Sequence, residues 1–539
     1  MNIQERISVW LCAMLMLFVV QAPNGWAMED KPAPKAGATG ASGPTNNTSP
    51  FALTDQVSID NQSIVVDGTT VTYDIRAGAI TVSGKEPSSA LGNIYFVSYF
   101  AKTPSDTSKR SRPIAFCFNG GPGSSSVWLH MGFLGPKTID VDGLTHPPLP
   151  VGYKDNPQSL LASCDLVFID PVSTGFSTAT NVENAKCFHG VEEDLFSVAD
   201  FIRFFLTKFQ RWESPKLLIG ESYGTLRAIG LAHILQDQYF IDIDGLVLVS
   251  LVLDTNVLPE VLCEYPSHDL PCITTLPTLA AIARYHNQLT GPLAQSSIPQ
   301  VVESAKKFAI EEYAPALILG AQIAPEQSGR IAKRLAELTS LPEEIIKLQN
   351  LRISPDCFYS EFLKSKALRV GRFDGRATGY QVPNAPPICH EGMCYIDPSC
   401  YNVIGAFASS WQEYLARDLK WQKNEPYILL NTNIDPWKWT VGPRPVPGLG
   451  FLSFSQDFRM TMTNNPTLRV FVAAGYYDLA TPYFSQQYSL SHLLLPPKLQ
   501  KQITLKGYEG GHMMYLDKGS RDALHKDLVT FVNEVVTAK

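Results

Sequence analysis

The sequence lacks a marked excess of any residue class. It has 10 cysteines among 539 residues, too few for a disulfide scaffold. Its 37 glycines and 39 prolines exclude a collagen-like or low-complexity chain. Lysine and arginine number 44 against 51 acidic residues, a net charge of −7, so the basic footprint of a nucleic-acid-binding protein is missing. With 45% hydrophobic residues, the chain can bury a large core, and composition predicts a large soluble globular protein.

The apolar stretch near the amino terminus is too short to span a bilayer. It covers residues 7–20, whereas a spanning helix needs about 20 apolar residues. It follows Arg6 and precedes the small residues Gly25 and Ala27, a pattern typical of a secretory signal peptide cleaved after Ala27. We therefore expect an exported protein, periplasmic or extracellular if bacterial, with no stable membrane association after cleavage. An uncleaved anchor or a buried helix is the alternative interpretation.

The cysteines beyond this segment are odd in number, and export would permit disulfides. The best-placed candidates lie in loops that contain proline and glycine: Cys263 with Cys272, and the cluster Cys389, Cys394 and Cys400. The sequence leaves their pairing open. A zinc site formed by this cluster and His390 is a competing idea, but its spacing matches no standard ligand pattern. We expect no metal and no other cofactor.

The remaining chain alternates strand and helix patterns. A hairpin is predicted around Asp67-Gly68. Short apolar runs follow at residues 112–118, 164–170, 216–220, 245–253, 468–475 and 501–506. Helical periodicity covers residues 192–209, 223–236 and 520–536, the last with Ser520 as a candidate cap. Several runs are apolar throughout, as in strands covered on both faces, so we predict an α/β fold with a mostly parallel central sheet and helices on both faces.

The alternation stops between residues 255 and 450, where helical patterns and loops rich in proline and cysteine take over. Because strands resume afterwards, we predict a helical insertion, or lid, within one α/β domain formed by residues 51–254 and 451–539. Residues 28–50 are rich in small and polar residues and predict a flexible linker after the signal peptide, residues 1–27. Length alone would suggest three or four domains, at about 150 residues each.

A GESYG motif at residues 220–224 follows one apolar run and opens a helical pattern. This is the strand–turn–helix context of a G-x-S-x-G nucleophile elbow. The glycines allow a sharp turn, and the helix amino end favours developing negative charge. We predict that Ser222 is a nucleophile; a tight turn with an ordinary serine is the alternative.

A second glycine-rich motif, NGGPGSSS at residues 119–126, follows the apolar run 112–118. A Gly-Gly pair at this position lets backbone N–H groups approach a substrate oxygen, as in the oxyanion loop of α/β-hydrolases. A plain turn or a phosphate cradle are the alternatives. The Gly-Lys-Ser/Thr ending of a P-loop is absent, which disfavours the cradle.

Two further residues complete the order Ser, Asp, His that this fold requires. Asp478 and His512 each follow a predicted strand, in loops where catalytic groups gather on an open α/β sheet. Taken singly, Asp478 could be a turn residue and His512 a loop histidine. Three other histidines lie in apolar surroundings and are predicted to be structural: His130, His233 and His286. We predict a triad of Ser222, Asp478 and His512.

Five motifs in this order resemble the serine carboxypeptidase family, in its bacterial branch, within the α/β-hydrolase superfamily. They are NGGPGSSS, DPVSTGFS at residues 170–177, GESYG, GYYDLATP and GGHMMY. The resemblance spans about residues 60–537. It implies an α/β-hydrolase fold and a serine-type carboxypeptidase that acts on peptide or protein C-termini. Proline aminopeptidase-like hydrolases share the Gly-Gly-Pro-Gly loop but carry histidine before it, where this chain has Asn119.

The resemblance also implies roles for five neighbouring residues. Asn119 and Glu221 would bind the free carboxylate of the substrate. Gly121 and Tyr223 would supply the N–H groups of the oxyanion hole, and Met513 would line the pocket of the leaving residue. The family often has cysteine where this chain has Ser124, which puts sensitivity to thiol reagents in doubt.

The predicted role of Glu221 has a consequence for pH. Two carboxylates in contact repel each other unless they share a proton, so we expect peptide hydrolysis to be favoured at acidic pH. The alternatives are that Asn119 only caps a turn and that Glu221 pairs with Arg227. At the level of function, an esterase or acyltransferase on the same scaffold, or a catalytically silent binding protein, stays open.

Overall fold

The computed structural model describes the chain in nine segments. These are residues 52–85, 91–102, 112–148, 150–265, 267–382, 396–421, 424–434, 436–441 and 451–537. The predicted signal peptide and linker lie outside the described residues, as do Cys389, His390 and Cys394.

Fourteen strands occur in the described part of the chain. They are β1 Leu53–Val66, β2 Thr69–Ser83, β3 Leu91–Ala101, β4 Ile114–Phe118, β5 Lys137–Ile139, β6 Tyr153–Asp155, β7 Asp165–Ile169, β8 Thr178–Ala179, β9 Lys216–Glu221, β10 Gly245–Val249, β11 Leu368–Val370, β12 Thr378–Tyr380, β13 Arg469–Gly475 and β14 Ile503–Tyr508. The main sheet has the order β1-β2-β3-β7-β4-β9-β10-β13-β14, with β8 paired to β3. The six strands from β7 to β14 in this order run parallel, whereas β1, β2 and β3 are antiparallel. The predicted mostly parallel sheet is confirmed.

Helices flank this sheet and fill the region after β10. The α-helices of the described residues are Val127–Leu129, Val182–Ala185, Val191–Lys208, Tyr223–Tyr239, Val261–Glu264, Leu270–Tyr285, Ile298–Phe308, Ala314–Leu319, Pro325–Thr339, Glu343–Leu348, Pro355–Glu361, Pro398–Arg417, Ser455–Asn464, Tyr483–Ser491, Pro497–Gln500 and Lys518–Thr537.

The central strands are apolar throughout because both of their faces are covered. In β10, Val247 and Val249 belong to one core cluster, which also holds side chains of the helices Pro398–Arg417 and Lys518–Thr537. Leu246 of the same strand belongs to the opposite cluster, with side chains of Val191–Lys208 and Tyr223–Tyr239. Since successive side chains of a strand point to opposite faces, the continuous apolar run is explained by a helical layer on each side.

Two local predictions can be compared directly with the structure. Asp67 and Gly68 form the two-residue turn between β1 and β2, both with positive φ, 47° and 79°, as a type I′ hairpin turn requires. The final helix begins at Lys518, before Ser520. Asp517 Oδ1 accepts the Ser520 N–H at 2.9 Å, so Asp517 is the capping side chain and the prediction of a Ser520 cap is wrong.

Helices that follow β10 build a third core cluster of their own. It takes side chains from Leu270–Tyr285, Ile298–Phe308 and Pro325–Thr339, and it includes Tyr477 and Leu479. These two residues flank Asp478, so the helical region supports one of the predicted catalytic loops. Its extent as a lid, residues 255–450, stays a prediction.

Most cysteines of the described side chains are free thiols, and Cys187 and Cys357 among them are partly buried. Cys117, Cys164 and Cys272 are free and buried, and burial raises the pKa of Cys272 to about 12. The suggested pairing of Cys272 is therefore wrong. Cys400 is disulfide-bonded, as predicted for a member of its cluster.

Candidate active site

The GESYG motif forms a strained turn between β9 and the helix Tyr223–Tyr239. Ser222 has φ 59° and ψ −129°, a region that non-glycine residues rarely adopt. Its N–H donates to the carbonyl of Val249 at 3.0 Å, which fixes the turn to the neighbouring strand. A Cβ at Gly220 would lie 2.1 Å from the carbonyl oxygen of Gly224. The turn therefore requires glycine, as the motif predicts.

The NGGPGSSS loop packs backbone to backbone against this turn. A Cβ at Gly120 would lie 2.6 Å from the amide nitrogen of Tyr223 and 2.7 Å from the carbonyl oxygen of Glu221. A Cβ at Gly224 would lie 2.9 Å from the carbonyl oxygen of Asn119. No side chain fits between the two motifs, so the loop carrying Gly121 and the amide of Tyr223 lie side by side.

The structure brings Asp478 and His512 together. Nδ1 of His512 lies 2.8 Å from Oδ2 of Asp478. The same carboxylate accepts the N–H groups of Ala480 and Thr481, at 2.8 and 3.0 Å, and the Thr481 hydroxyl at 2.6 Å. Asp478 is fully buried, and these bonds hold it in one orientation towards the imidazole.

This carboxylate also controls the protonation of His512. Burial would by itself lower the pKa of the imidazole, but the charges of Asp478 and Glu221 and the hydrogen bond to Asp478 together outweigh burial, and the pKa of His512 is raised. Among the described residues, Ser222 Oγ has no hydrogen-bond partner, in keeping with catalytic hydrogen bonds that tighten only when substrate is bound.

Glu221 is buried directly before Ser222. Its Oε2 accepts a hydrogen bond from the Tyr515 hydroxyl at 2.7 Å, and burial raises the pKa of its carboxyl to about 7. Asn119 lies on the same side and interacts favourably with the charged carboxylate. Because Oδ1 of Asn119 accepts the Leu129 N–H at 3.0 Å, the NH₂ group of Asn119 is left to face Glu221. Asn119 therefore both holds a turn and contributes to the site.

Arg227 has a different partner from the one considered above. Its Nε donates to Asp194 at 2.7 Å, and both side chains are buried. Its Nη1 donates to the carbonyl of Asn119. The alternative pairing with Glu221 is therefore wrong: Arg227 pairs with Asp194 and supports the loop that carries Asn119.

Residues 428–431 of the predicted lid form a strap that pairs with this loop and with the segment at Gly175. The N–H of Asn431 donates to the carbonyl of Gly123 at 2.8 Å, and its Nδ2 donates to the carbonyl of Ser173 at 2.9 Å. Ser124, the residue at the position where the family often has cysteine, forms a β-bridge with Leu430. Backbone pairing thus attaches the NGGPGSSS loop to the strap.

Another segment of the predicted lid holds both triad loops. The carbonyl of Arg372 accepts the N–H of Leu479 at 3.0 Å, and the carbonyl of Phe373 accepts the N–H of His512. The Phe373 ring lies beside the imidazole, with centroids 5.1 Å apart. Met513, the predicted pocket residue, is half-buried and lines a small cavity together with Phe373.

The three histidines that were predicted to be structural make contacts of their own. His130 is buried and stacks on Phe168, with centroids 3.9 Å apart, and burial lowers its pKa to about 3. Nε2 of His286 lies 2.9 Å from the carbonyl oxygen of Gly375. His233 lies 3.7 Å from Asp457.

Two further features concern metals and membranes, and both refer to the described residues. These residues contain no group of three or more His, Cys, Asp or Glu side chains placed to hold a metal ion. In the same part of the chain, the helices are each too short or too polar to cross a membrane.

Three important contacts were missed from the sequence. Thr481 follows Asp478 by three residues, and this Asp-x-x-Thr spacing is a known turn and capping pattern that could have indicated it. Tyr515 and Asn431 carry no local signal, because each acts on a residue roughly 300 positions away in the sequence.

Part of the chain is similar to known serine carboxypeptidases. Residues 92–255 match the family model described as serine carboxypeptidase. In Arabidopsis thaliana, serine carboxypeptidase-like 38 is 28% identical over 269 residues, covering 47% of this chain and 51% of that protein. Serine carboxypeptidase-like 36 is 25% identical over 272 residues, covering 48% and 52%. The chain thus spans about half the length of these curated relatives.

A solved structure resembles the whole fold. A prohormone-processing carboxypeptidase from Saccharomyces cerevisiae superposes with a TM-score of 0.53 at 15% identity, covering 85% of this chain and 91% of that chain. The predicted resemblance to the serine carboxypeptidase family and the predicted α/β-hydrolase fold are confirmed.

Proposed function

We propose that the protein is a serine-type carboxypeptidase that releases the last amino acid of peptides through an acyl-enzyme on Ser222. One observation carries this proposal. The elbow serine directly follows a buried carboxyl, Glu221, which lies beside Asn119 and is hydrogen-bonded to Tyr515. A triad alone fits many hydrolases, whereas a proton-retaining carboxyl beside the nucleophile suits a substrate that ends in a free carboxylate.

In the proposed mechanism, Ser222 attacks the last peptide carbonyl while His512 accepts its proton. The N–H groups of Gly121 and Tyr223 stabilise the oxyanion; losing one such donor costs about 2.7–4 kcal/mol in comparable enzymes. His512 then protonates the departing amino acid, and water cleaves the acyl-enzyme. Asp478 keeps the imidazole oriented and stabilises its charged form.

Recognition of the substrate is assigned to Asn119 and Glu221, with Met513 lining the pocket of the leaving residue. A protonated Glu221 donates to the terminal carboxylate, whereas a charged Glu221 repels it. Because burial places the pKa of Glu221 at about 7, peptide hydrolysis should be favoured below that pH and lost above it. We further propose that the protein is exported and acts on peptide or protein C-termini without a cofactor.

The test compares wild type with Ser222→Ala on a blocked dipeptide with a free C-terminus and on the corresponding ester. We expect the variant to lose amino-acid release and fluorophosphonate labelling. Ser409→Ala, on the Pro398–Arg417 helix, is the matched control and should behave as wild type. Ester cleavage without any release from peptides would favour an esterase or acyltransferase. Full activity of Ser222→Ala would contradict the nucleophile assignment.

A further inference from the structure

Tyr515 touches the proposed carboxylate-recognition site from a position that no motif indicates. It lies in the short turn Met514–Leu516, just after His512, and is fully buried. Its hydroxyl donates to Oε2 of Glu221 at 2.7 Å. A hydrogen bond to a carboxylate, shielded from water, is stronger than a neutral one.

The tyrosine ring is held in a fixed place. It stacks on Phe133 with centroids 5.6 Å apart and planes within 6° of parallel. A Cβ at Gly132 would lie 2.7 Å from the ring edge, so glycine makes room for it. The carbonyl of Tyr515 accepts a hydrogen bond from Arg521 at 2.6 Å. The ring and the backbone of Tyr515 are thus both held in place, and its hydroxyl contacts Glu221 from this one side-chain conformation.

We propose that Tyr515 is a positioning residue for recognition of the substrate's terminal carboxylate. Its hydroxyl donates a hydrogen bond to Oε2 of Glu221. The other carboxyl oxygen, Oε1, therefore carries the proton that is shared with the substrate. Without this hydroxyl, the carboxyl group is free to turn and to place its proton away from the substrate. This inference rests on the proposed carboxypeptidase function and adds the residue that orients its acidic group.

The electrostatic surroundings of Glu221 support this role. Burial raises its pKa, whereas His512, the Tyr515 hydroxyl and Asn119 lower it and Asp478 raises it slightly. Of these groups, Tyr515 and Asn119 are the neutral donors, and Asn119 also accepts the Leu129 N–H. Tyr515 can therefore be changed without altering a charge, the triad or that turn. Loss of the hydroxyl should therefore weaken orientation and raise the pKa of Glu221 at the same time.

The test is the pH dependence of Tyr515→Phe, which keeps the stacked ring. The substrates are a blocked dipeptide with a free C-terminus and its amide. For the free acid at low pH, we expect KM to rise about tenfold with kcat within about twofold, as for one lost bond to a carboxyl group. The alkaline limb of the pH profile of kcat/KM for the free acid should move to higher pH by roughly one unit. For the amide, which has no terminal charge, KM should move much less.

Tyr239→Phe is the matched control, because the Tyr239 hydroxyl also donates to a carboxylate, Asp200, at 3.0 Å. It lies at the far end of the Tyr223–Tyr239 helix, about 24 Å from the elbow. This control should show wild-type profiles for both substrates. Gly132→Ala keeps the tyrosine hydroxyl but displaces the ring, and should shift the alkaline limb in the same direction as Tyr515→Phe.

A double-mutant comparison separates positioning from general disruption. In a Glu221→Gln background, Tyr515→Phe should have less than a twofold further effect on the free acid. The inference is overturned if Tyr515→Phe has the wild-type pH profile, or if acid and amide are impaired equally in both backgrounds. If wild type itself releases no C-terminal residue at any pH while fluorophosphonate still labels Ser222, the proposed function fails instead.

Discussion

Oδ2 of Asp478 lies 2.8 Å from Nδ1 of His512, and the aspartate is fully buried. Its remaining acceptor sites are filled by the backbone of Ala480 and by the backbone and hydroxyl of Thr481. With the carboxylate as acceptor, we expect the imidazole tautomer that has its proton on Nδ1, which would leave Nε2 for the proposed role as a base.

Replacing this carboxylate by an amide should disable catalysis without unfolding the protein. In Asp478→Asn, the amide favours the wrong tautomer, and we expect kcat to fall about 10⁴-fold, as in other serine hydrolases. Steady-state hydrolysis of an ester substrate measures this change. Asp237→Asn, on an exposed part of the Tyr223–Tyr239 helix, is the control. A variant that keeps a tenth of wild-type kcat would remove Asp478 from the triad.

The close packing of the two glycine motifs predicts a sensitive position outside the triad. Gly120→Ala places a methyl group 2.6 Å from the Tyr223 nitrogen, so the oxyanion loop must move away. We expect kcat to fall about 10²–10³-fold, the effect of losing an oxyanion donor, with thermal stability also reduced. Gly405→Ala, in a helix with open space around the added methyl, should keep wild-type kcat. Equal kcat for both variants would argue against the assigned loop.

The charge of Glu221 should influence the acidic limit of the reaction. Glu221 contributes to the raised pKa of His512, and His512 must be neutral to act as a base. In Glu221→Gln, the imidazole loses the negative charge that Glu221 gains as pH approaches its pKa of about 7. The imidazole pKa should therefore fall, and the acidic limb of kcat/KM for an ester substrate should move to lower pH. Glu344→Gln, an exposed change on the Glu343–Leu348 helix, should leave the limb in place. A shift of the acidic limb of Glu221→Gln to higher pH would contradict the proposed effect of Glu221 on the pKa of His512.

The same variant should change the pH dependence of stability. The pKa of Glu221 is raised from 4.5 to about 7 by burial, so its neutral form stabilises the fold below about pH 4.5, and this contribution is lost as pH rises through 7. Glutamine cannot ionise. Glu221→Gln should therefore gain stability relative to wild type by on the order of 3 kcal/mol between pH 4 and pH 8. Denaturant unfolding at the two pH values measures this; a constant difference would mean that Glu221 keeps an ordinary pKa.

The sequence predicted those parts of the site that depend on local geometry. Apolar runs placed the parallel strands, and the catalytic candidates follow β9, β13 and β14 because parallel strands end at one edge of a sheet. Glycine motifs revealed the turn and loop, since only glycine permits their close approach. One local prediction failed at short range: the last helix begins three residues earlier than the serine suggested, and Asp517 rather than Ser520 caps it.

Contacts between distant segments could not be predicted. Tyr515 meets Glu221 across 294 positions, and Arg227 pairs with Asp194 because the two helices that carry them lie side by side on one face of the sheet. The strap residue Asn431 reaches Gly123 from within a region whose sequence predicted only loops. Such contacts follow from tertiary packing, which no periodicity or motif specifies.

The most direct test is the pH dependence of kcat/KM of the wild-type protein for a blocked dipeptide with a free C-terminus and for its amide. The account predicts that release from the free acid declines as pH rises through about 7, the pKa of Glu221. Cleavage of the amide should persist at higher pH. Identical profiles for the two substrates, or peptide release that peaks well above pH 8, would contradict the claim that Glu221 recognises a terminal carboxylate.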